Sequence, residues 1–101
     1  MAQLLVLYNT PADPIAFDHY YHRTHIPLAQ KIPRLGSYVI SSGPVQALAG
    51  MAPHLLAILN FDSLADLSAA LASPEGQAAA ADLSNFASAG ATLLIYDIQA
   101  V

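Results

Sequence analysis

Three short segments of this chain are apolar at every position, and they constrain its fold more than any other feature. They are residues 4–7, 55–59 and 93–95. A strand with one buried face alternates apolar and polar residues, whereas a strand without that alternation carries apolar side chains on both faces. We therefore expect a sheet that is covered on both faces.

The order of the predicted elements indicates the kind of sheet. Strands are predicted at residues 3–8, 37–41, 54–61 and 91–98. One helix begins after the N-cap residue Asp13 and a second after Ser63. The second helix restarts at Ser73 and continues to about Phe86. The order β-α-β-β-α-β predicts an α+β, ferredoxin-like split βαβ fold with both helices on one face of the sheet.

The surface of this chain is poor in charge, which favours self-association. Only 10% of the 101 residues are charged, against about 25% in typical globular proteins. Since two helices cover only one face of a sheet, a second copy of the same face is the simplest cover for the other. We predict a single domain over residues 1–101 that forms a homodimer through its sheet faces and can enclose a cavity between them.

Composition excludes several classes of function. Three Lys and Arg residues against seven Asp and Glu residues argue against nucleic-acid binding and against anionic membranes. Because the chain has no cysteine, it has no disulfides and no thiolate chemistry. No cationic region precedes the first apolar run, and no run reaches the roughly 18 residues of a membrane span. We expect a cytoplasmic protein.

The first helix is predicted to bury one stripe of side chains. The stripe has three- and four-residue spacing and consists of Phe17, Tyr20, Tyr21, Thr24 and Leu28. Pro27 lacks an N–H group, so a kink or an early stop is expected there.

The densest polar cluster, residues 18–25, holds three of the four histidines and is open to three interpretations. In the first, His25 is a general acid or base beside tyrosine hydroxyls. In the second, Asp18, His22 and His25, which share one sector of the helix, bind a metal with a fourth ligand from elsewhere. In the third, His25 is a structural residue at the edge of the core. We expect no metal and no other cofactor.

Aromatic and polar residues beside the apolar segments are candidates for ligand contact. A strand residue that faces a cavity interrupts an apolar run, and so does one at a strand end that bonds to backbone. We predict His25 and Tyr21 as catalytic residues. The predicted substrate-binding residues are Tyr8, Phe17, Tyr20, Asn60, Phe86 and Tyr96.

A family resemblance rests on two blocks of residues. The first is Tyr-Tyr-x-x-x-His-x-Pro-Leu over residues 20–28, accompanied by Asp13, Phe17, Pro33 and Leu35. The second consists of residues 73–77, 82–83 and 85–86. These blocks resemble the EthD family, named for ethyl tert-butyl ether degradation, within the dimeric α+β barrel group. One departure is Arg34, where the family pattern has glycine.

The resemblance implies a ferredoxin-like subunit that dimerises through its sheet and has His25 at its cavity. Relatives with this barrel include cofactor-free monooxygenases, polyketide cyclases, isomerases, dehydratases and haem-binding enzymes, so fold alone does not decide the activity. We predict binding of a small apolar compound, aromatic or polyketide-like. His25 would move a proton, or support oxygenation without a cofactor, and Tyr21 or Tyr96 would stabilise an oxyanion.

Two alternatives remain at this point. One is a non-catalytic accessory or stress protein of a degradation pathway, which would bind a hydrophobic metabolite and tolerate His25→Gln. The other is a haem-binding barrel with His25 as axial ligand.

Overall fold

The computed structural model describes all residues from Met1 to Val101 and confirms the predicted order of elements. In chain order the elements are β1 (Ala2–Tyr8), α1 (Pro14–Tyr20), a π-helical turn (Tyr21–His25), α2 (Ile26–Ala29), β2 (Ser37–Ile40), β3 (Leu55–Phe61), α3 (Leu64–Ala72), α4 (Pro74–Phe86) and β4 (Ala91–Asp97). None of the helices has the length and apolar character of a transmembrane segment.

The four strands form one antiparallel sheet with the order β2-β3-β1-β4. The two central strands, β1 and β3, pair over their full lengths from Ala2↔Phe61 to Tyr8↔Leu55. Strand β4 lies on the other side of β1, and the shorter β2 forms the opposite edge. This arrangement confirms the predicted α+β, ferredoxin-like fold.

Local capping chemistry explains where three of the helices begin. The side chains of Asp13, Ser63 and Ser73 each accept a hydrogen bond from the backbone N–H three residues on. These bonds satisfy donors that have no partner within the first helical turn. The predicted caps are therefore confirmed, and Ser73 both ends α3 and begins α4.

Glycine is required where α4 passes α3. A Cβ atom added to Gly76 would overlap the carbonyl oxygen of Ala70 and lie 2.8 Å from the Cα of Leu71. No side chain fits in that space, so Gly76 permits a close helix contact. This contact sets the path of α4, which carries one residue of the site described below.

Helical structure does not stop at Pro27 but continues to Ala29, so of the two outcomes expected there the early stop is wrong. The helix widens into the π-helical turn, where the N–H of Ile26 bonds to the carbonyl oxygen of Tyr21, five residues earlier. In an α-helix the ring of Pro27 would clash with the carbonyl of Arg23. A wider turn immediately before the proline removes that clash and lets the helix continue through α2.

The π-helical turn also changes which residues are buried. The buried side chains are Phe17, Tyr21, His25 and Ala29, at a regular four-residue spacing. Thr24, predicted to lie in the buried stripe, is exposed. The predicted stripe assumed an uninterrupted α-helix, whereas the wider turn inserts one extra residue and shifts the phase of all that follow.

Arg34 occupies the position where the resemblance led us to expect glycine. It has a positive φ of 64°, a conformation that glycine adopts without strain. Its guanidinium donates to Asp66 Oδ1 at 2.6 Å, and this bond helps hold the turn before β2. The departure from the family pattern therefore leaves the backbone turn itself in place.

The helices cover one face of the sheet and leave the other open. On the covered face β1 and β3 bury alternate residues, among them Leu4, Val6, Ala57 and Leu59. On the open face the side chains are partly or fully exposed, and Leu94 is 46% exposed. Both faces carry apolar side chains, as the strand pattern predicts.

Candidate functional site

The centre of the candidate site is a buried hydrogen bond between the π-helical turn and α4. His25 Nδ1 lies 2.9 Å from Asp82 Oδ2, and the two residues are only 5% and 7% exposed. The regular four-residue stripe turns His25 toward the sheet, and Asp82 occupies the buried side of α4 with Gly76 and Ala79. The fold thus brings together a carboxylate and an imidazole that are 57 residues apart in sequence.

Asp82 is held by two further donors besides His25. Tyr20 donates its hydroxyl to Asp82 Oδ1 at 2.6 Å, and the Asn85 side chain donates to the same oxygen at 3.0 Å. Both carboxylate oxygens are therefore hydrogen-bonded. Such bonds favour the charged form of a carboxylate and fix its orientation.

The protonation states of the pair follow from burial and hydrogen bonding. Burial lowers the pKa of His25 below 6.5 and outweighs the opposing effect of Asp82. Burial alone would raise the pKa of Asp82, but the hydrogen bonds from Tyr20, Asn85 and His25 hold it below its usual value. At neutral pH the pair is a neutral imidazole, with its proton on Nδ1, beside a carboxylate.

The second ring nitrogen of His25 is free for chemistry. Nε2 has no hydrogen-bond partner in the chain and retains accessible surface. His25 lines a cavity of about 50 Å³ between the helices and the covered face of the sheet. The cavity reaches the surface beside Ala80 of α4 and Leu93 of β4, and Leu93 is 46% exposed.

Three tyrosines contribute the other polar groups of the cavity wall. Tyr8 and Tyr21 were predicted for the site, and Tyr38 of β2 joins them by a hydrogen bond between its hydroxyl and that of Tyr21. Burial raises the pKa of all three phenols. They therefore remain protonated. Because one of Tyr21 and Tyr38 donates to the other, the hydroxyl of Tyr8 and one of that pair are left to donate to an anion. The remaining wall is almost entirely aliphatic.

Phe17, Tyr20 and Phe86 lie behind the cavity and do not line it. The Phe86 ring packs 4.7 Å from the His25 ring, centroid to centroid, and 5.3 Å from that of Phe17. These contacts fix the imidazole plane and shield the pair from water. The structure thus gives these three predicted residues supporting positions.

The structure does not bring Asn60 and Tyr96 to this cavity. Both lie on the open face, on the far side of the sheet from His25. Successive strand residues point to opposite faces. Next to Asn60, the buried Leu59 points toward the helices, and next to Tyr96, Ile95 lies on that same face because it pairs with the buried Leu4. The cavity also lies within one chain, whereas the sequence led us to expect it between two sheets.

Two residues of the site, Asp82 and Tyr38, were not predicted for it. Asp82 was only part of the residues that carry the resemblance. Its signal was a single carboxylate at a three-residue step from Ala79 and a four-residue step from Phe86, on an otherwise apolar helix face. Tyr38 has no comparable signal, because it stands in a four-residue strand.

The residues of the metal interpretation do not converge. His25 bonds Asp82, whereas Asp18 Oδ1 lies 2.7 Å from His54 Nε2 near the protein surface. No group of three or more His, Asp or Glu side chains is arranged to hold a metal ion. The π-helical turn separates the three side chains that a regular helix would have aligned.

The His25–Asp82 pair predicts a dependence of stability on pH. Unfolded His25 takes up a proton near pH 6.5, whereas the folded residue does so only at lower pH. The unfolded state therefore binds more protons in this window, and the free energy of unfolding falls as pH falls through it, by at most about 1.4 kcal/mol per pH unit. Asp82 adds a further loss below pH 3.8, since its folded pKa is lowered.

Urea unfolding of wild type and His25→Gln at several pH values tests this. We expect the free energy of unfolding of the variant to lose its dependence on pH just below pH 6.5. If the variant kept the same pH dependence, that dependence would belong to other groups.

Comparison with known proteins identifies relatives over nearly the whole chain. The family model of the EthD domain matches residues 9–90. An uncharacterised 11.0 kDa protein from the thcB–thcC intergenic region of Rhodococcus erythropolis is 46% identical over 103 residues, covering 100% of this chain and 98% of that protein.

Solved structures share the fold. An EthD family protein from Bacillus halodurans superposes with a TM-score of 0.88 at 31% identity, covering 98% of this chain and 99% of its own. SnoaB, a cofactor-independent oxygenase from Streptomyces nogalater, superposes with a TM-score of 0.68 at 13% identity, covering 99% and 94%. Several neighbours of 16–17% identity are described as dimeric ferredoxin-like proteins.

Proposed function

The chain belongs to the EthD family, whose domain spans residues 9–90, and on this premise we propose that it binds a small apolar compound and removes a proton from it. The compound is aromatic or polyketide-like, and it binds beside His25. The observation that carries the proposal is the buried His25–Asp82 pair, because it uses Nδ1 and leaves Nε2 of a cavity-lining histidine without a partner.

His25 is the catalytic residue of this proposal and acts as a general base. Its Nε2 lone pair takes the proton of a phenolic O–H or of a C–H beside a carbonyl, and the substrate keeps the electron pair as an anion. The Asp82 carboxylate accepts the Nδ1–H bond throughout and stabilises the imidazolium that forms. Tyr20 and Asn85 are positioning residues that hold Asp82 in place.

The buried phenols stabilise the anion. Tyr8, Tyr21 and Tyr38 meet at the same cavity, and their raised pKa values keep them as donors. In an apolar environment that excludes water, a hydrogen bond to a developing negative charge is stronger than in solution. The site therefore combines a base for the proton with donors for the remaining charge.

The size of the cavity sets which part of the compound is buried. A volume of about 50 Å³ accommodates a few heavy atoms, since one water needs roughly 10–15 Å³ measured in this way. We infer that the acidic end of the compound enters toward His25. Its apolar remainder lies at the mouth beside Leu93.

Oxygenation is the extension of this chemistry that the fold neighbours support. The substrate carbanion would form a carbon–oxygen bond with dioxygen, which is the two-electron oxidant, and the peroxide anion so formed would take the proton from His25 Nε2 to give a hydroperoxide. No metal or flavin enters this step, and the Streptomyces neighbour is a cofactor-independent oxygenase. Haem binding has less support, because the cavity is far too small for a porphyrin and neither Lys nor Arg lines it to hold propionates.

Hydrogen–deuterium exchange tests the proposed function. Wild-type protein in D₂O is mixed with a panel of small phenols and 1,3-dicarbonyl compounds, and NMR follows both binding and exchange at acidic C–H positions. We expect exchange above the buffer rate for at least one member that binds at His25. Binding without exchange would support the accessory-protein alternative, and a panel without any binding would contradict the proposal. Oxygen consumption in the same samples tests the oxygenation step.

We also propose that the chain forms a homodimer through the open faces of its sheets. The open face is apolar and has no cover within the chain, and Val39 and Leu94 on it are 51% and 46% exposed. Exposed apolar area of this kind marks an interaction surface. The dimeric ferredoxin-like neighbours support a second copy as its cover.

A further inference from the structure

Four polar side chains cross the open face of the sheet in one continuous row. They belong to Ser37, Asn60, Gln3 and Tyr96, which are paired neighbours on β2, β3, β1 and β4. Tyr96 donates to Gln3 Oε1 at 2.8 Å, Gln3 Nε2 donates to Asn60 Oδ1 at 2.8 Å, and Asn60 Nδ2 donates to Ser37 Oγ at 2.7 Å. We call these four residues the polar row.

The polar row stands out from the rest of the open face. The other residues there are Leu5, Leu7, Val39, Leu56, Ile58 and Leu94, with Thr92 at the opposite end from the row. None of the residues on this face is charged. A row of hydrogen-bonding groups on such a face requires matching groups on whatever covers it, because a buried donor without an acceptor is costly.

The row still has donors to offer a partner. Each carboxamide nitrogen uses one N–H within the row, which leaves a second N–H on Gln3 and on Asn60. The hydroxyl of Ser37 accepts from Asn60 and keeps its own proton, and the oxygen of Tyr96 keeps its lone pairs. The Ser37 end of the row can thus donate a hydrogen bond, and the Tyr96 end can accept one. The row is therefore complementary to a second copy that faces it in the opposite order.

The row lies near one end of the sheet, and this position selects a symmetry axis. Gln3 is the second residue of β1, and Asn60 is the last but one of β3. A twofold axis parallel to the strands leaves the position of each residue along the strand direction unchanged. The two rows then face each other, with their residues in opposite order across the sheet. An axis perpendicular to the strands would place each row against the apolar end of the partner sheet, near Leu7 and Leu56.

We propose that the polar row sets the register of the homodimer by docking on the partner's polar row. Gln3 faces the partner's Asn60, and Ser37 faces the partner's Tyr96, about a twofold axis parallel to the strands. The inference rests on the homodimer proposed above and adds which residues meet. Apolar packing gives the dimer its affinity, and the row excludes other orientations because they leave its donors unpaired.

Mixed dimers of two charged variants test this arrangement. Gln3→Lys and Asn60→Asp each place an unpaired charge in the proposed interface, but a dimer of one with the other contains one ion pair and one wild-type contact. Native mass spectrometry of the mixture should show the heterodimer-to-homodimer ratio raised by about tenfold over the statistical value. The matched control mixes Gln3→Lys with Leu56→Asp, whose position lies four residues along β3, about 13 Å away. This control should give the statistical ratio.

The outcomes distinguish whether the dimer forms from which residues meet in its interface. A wild-type protein that is monomeric at micromolar concentration would overturn the homodimer. A wild-type dimer with statistical ratios in both mixtures, or with enrichment only in the Leu56→Asp mixture, would overturn the row contact and leave the dimer standing. Circular dichroism checks that each variant folds. The swapped pair, Gln3→Glu with Asn60→Lys, repeats the test if a first variant does not fold.

Discussion

Replacing His25 with glutamine is expected to lower the rate of proton abstraction by about 10²-fold or more while the protein keeps its fold. Glutamine is uncharged and similar in length, so it fills most of the space between Asp82 and Phe86. Its amide can donate to Asp82 but has no nitrogen lone pair that takes up a proton at neutral pH. The substrate site therefore remains while the base is lost.

The matched control for this variant is His22→Gln. His22 lies in the same π-helical turn, but its side chain is exposed and outside the cavity. Exchange rates measured by NMR, with circular dichroism as the check on folding, should show a large loss for His25→Gln and none for His22→Gln. Equal rates in wild type and His25→Gln would remove His25 from the mechanism.

Replacing Asp82 with asparagine is expected to reduce both stability and rate. Asparagine keeps the shape but has one acceptor oxygen for three donors, namely Tyr20, Asn85 and His25. Losing hydrogen bonds to a charged group costs about 1.5–3 kcal/mol of unfolding free energy. Without a carboxylate on Nδ1, His25 no longer holds its proton there and its imidazolium is not stabilised, so the rate should fall by about 10²- to 10⁴-fold.

A positioning role of Asp82 differs from a merely structural one in its effect on His25. In the Asp82→Asn variant, ¹⁵N NMR of the imidazole should show a change of tautomer, and the pH profile of exchange should shift. The control is Asp66→Asn, which breaks the partly exposed pair with Arg34 and should cost about 1 kcal/mol or less without a change in rate. An Asp82→Asn variant with an unchanged tautomer and pH profile would limit Asp82 to holding the fold.

The strand order and the helix starts were predictable from sequence because their signals are local. Apolar runs bounded by turn residues identify strands, and the caps at Asp13, Ser63 and Ser73 act within three residues. Sequence also made His25 a candidate, since it stands in a dense polar cluster beside aromatic residues. Its partner Asp82 was not one, because that contact spans 57 residues and depends on the path of α4.

The helix phase was mispredicted for a reason that sequence patterns hide. A stripe of buried residues was assigned on a regular α-helix, but the turn before Pro27 is π-helical and exposes Thr24. Proline signals a disturbance without specifying whether the chain kinks, stops or widens. In this chain the helix widens, and the widened turn buries Tyr21 and His25, which is a tertiary arrangement that the local pattern does not show.

By itself the sequence determined that this chain forms a ferredoxin-like sheet with two apolar faces, and that His25 is near its core. Only the tertiary structure decided which face the helices cover. The alternation of side chains along β3 places Asn60 on the same face as Ile58. Because both faces carry apolar residues, this alternation does not show which face of the sheet meets the helices. That decision placed the cavity beside His25 and Asp82, and it left Asn60 and Tyr96 on the face proposed for a second copy.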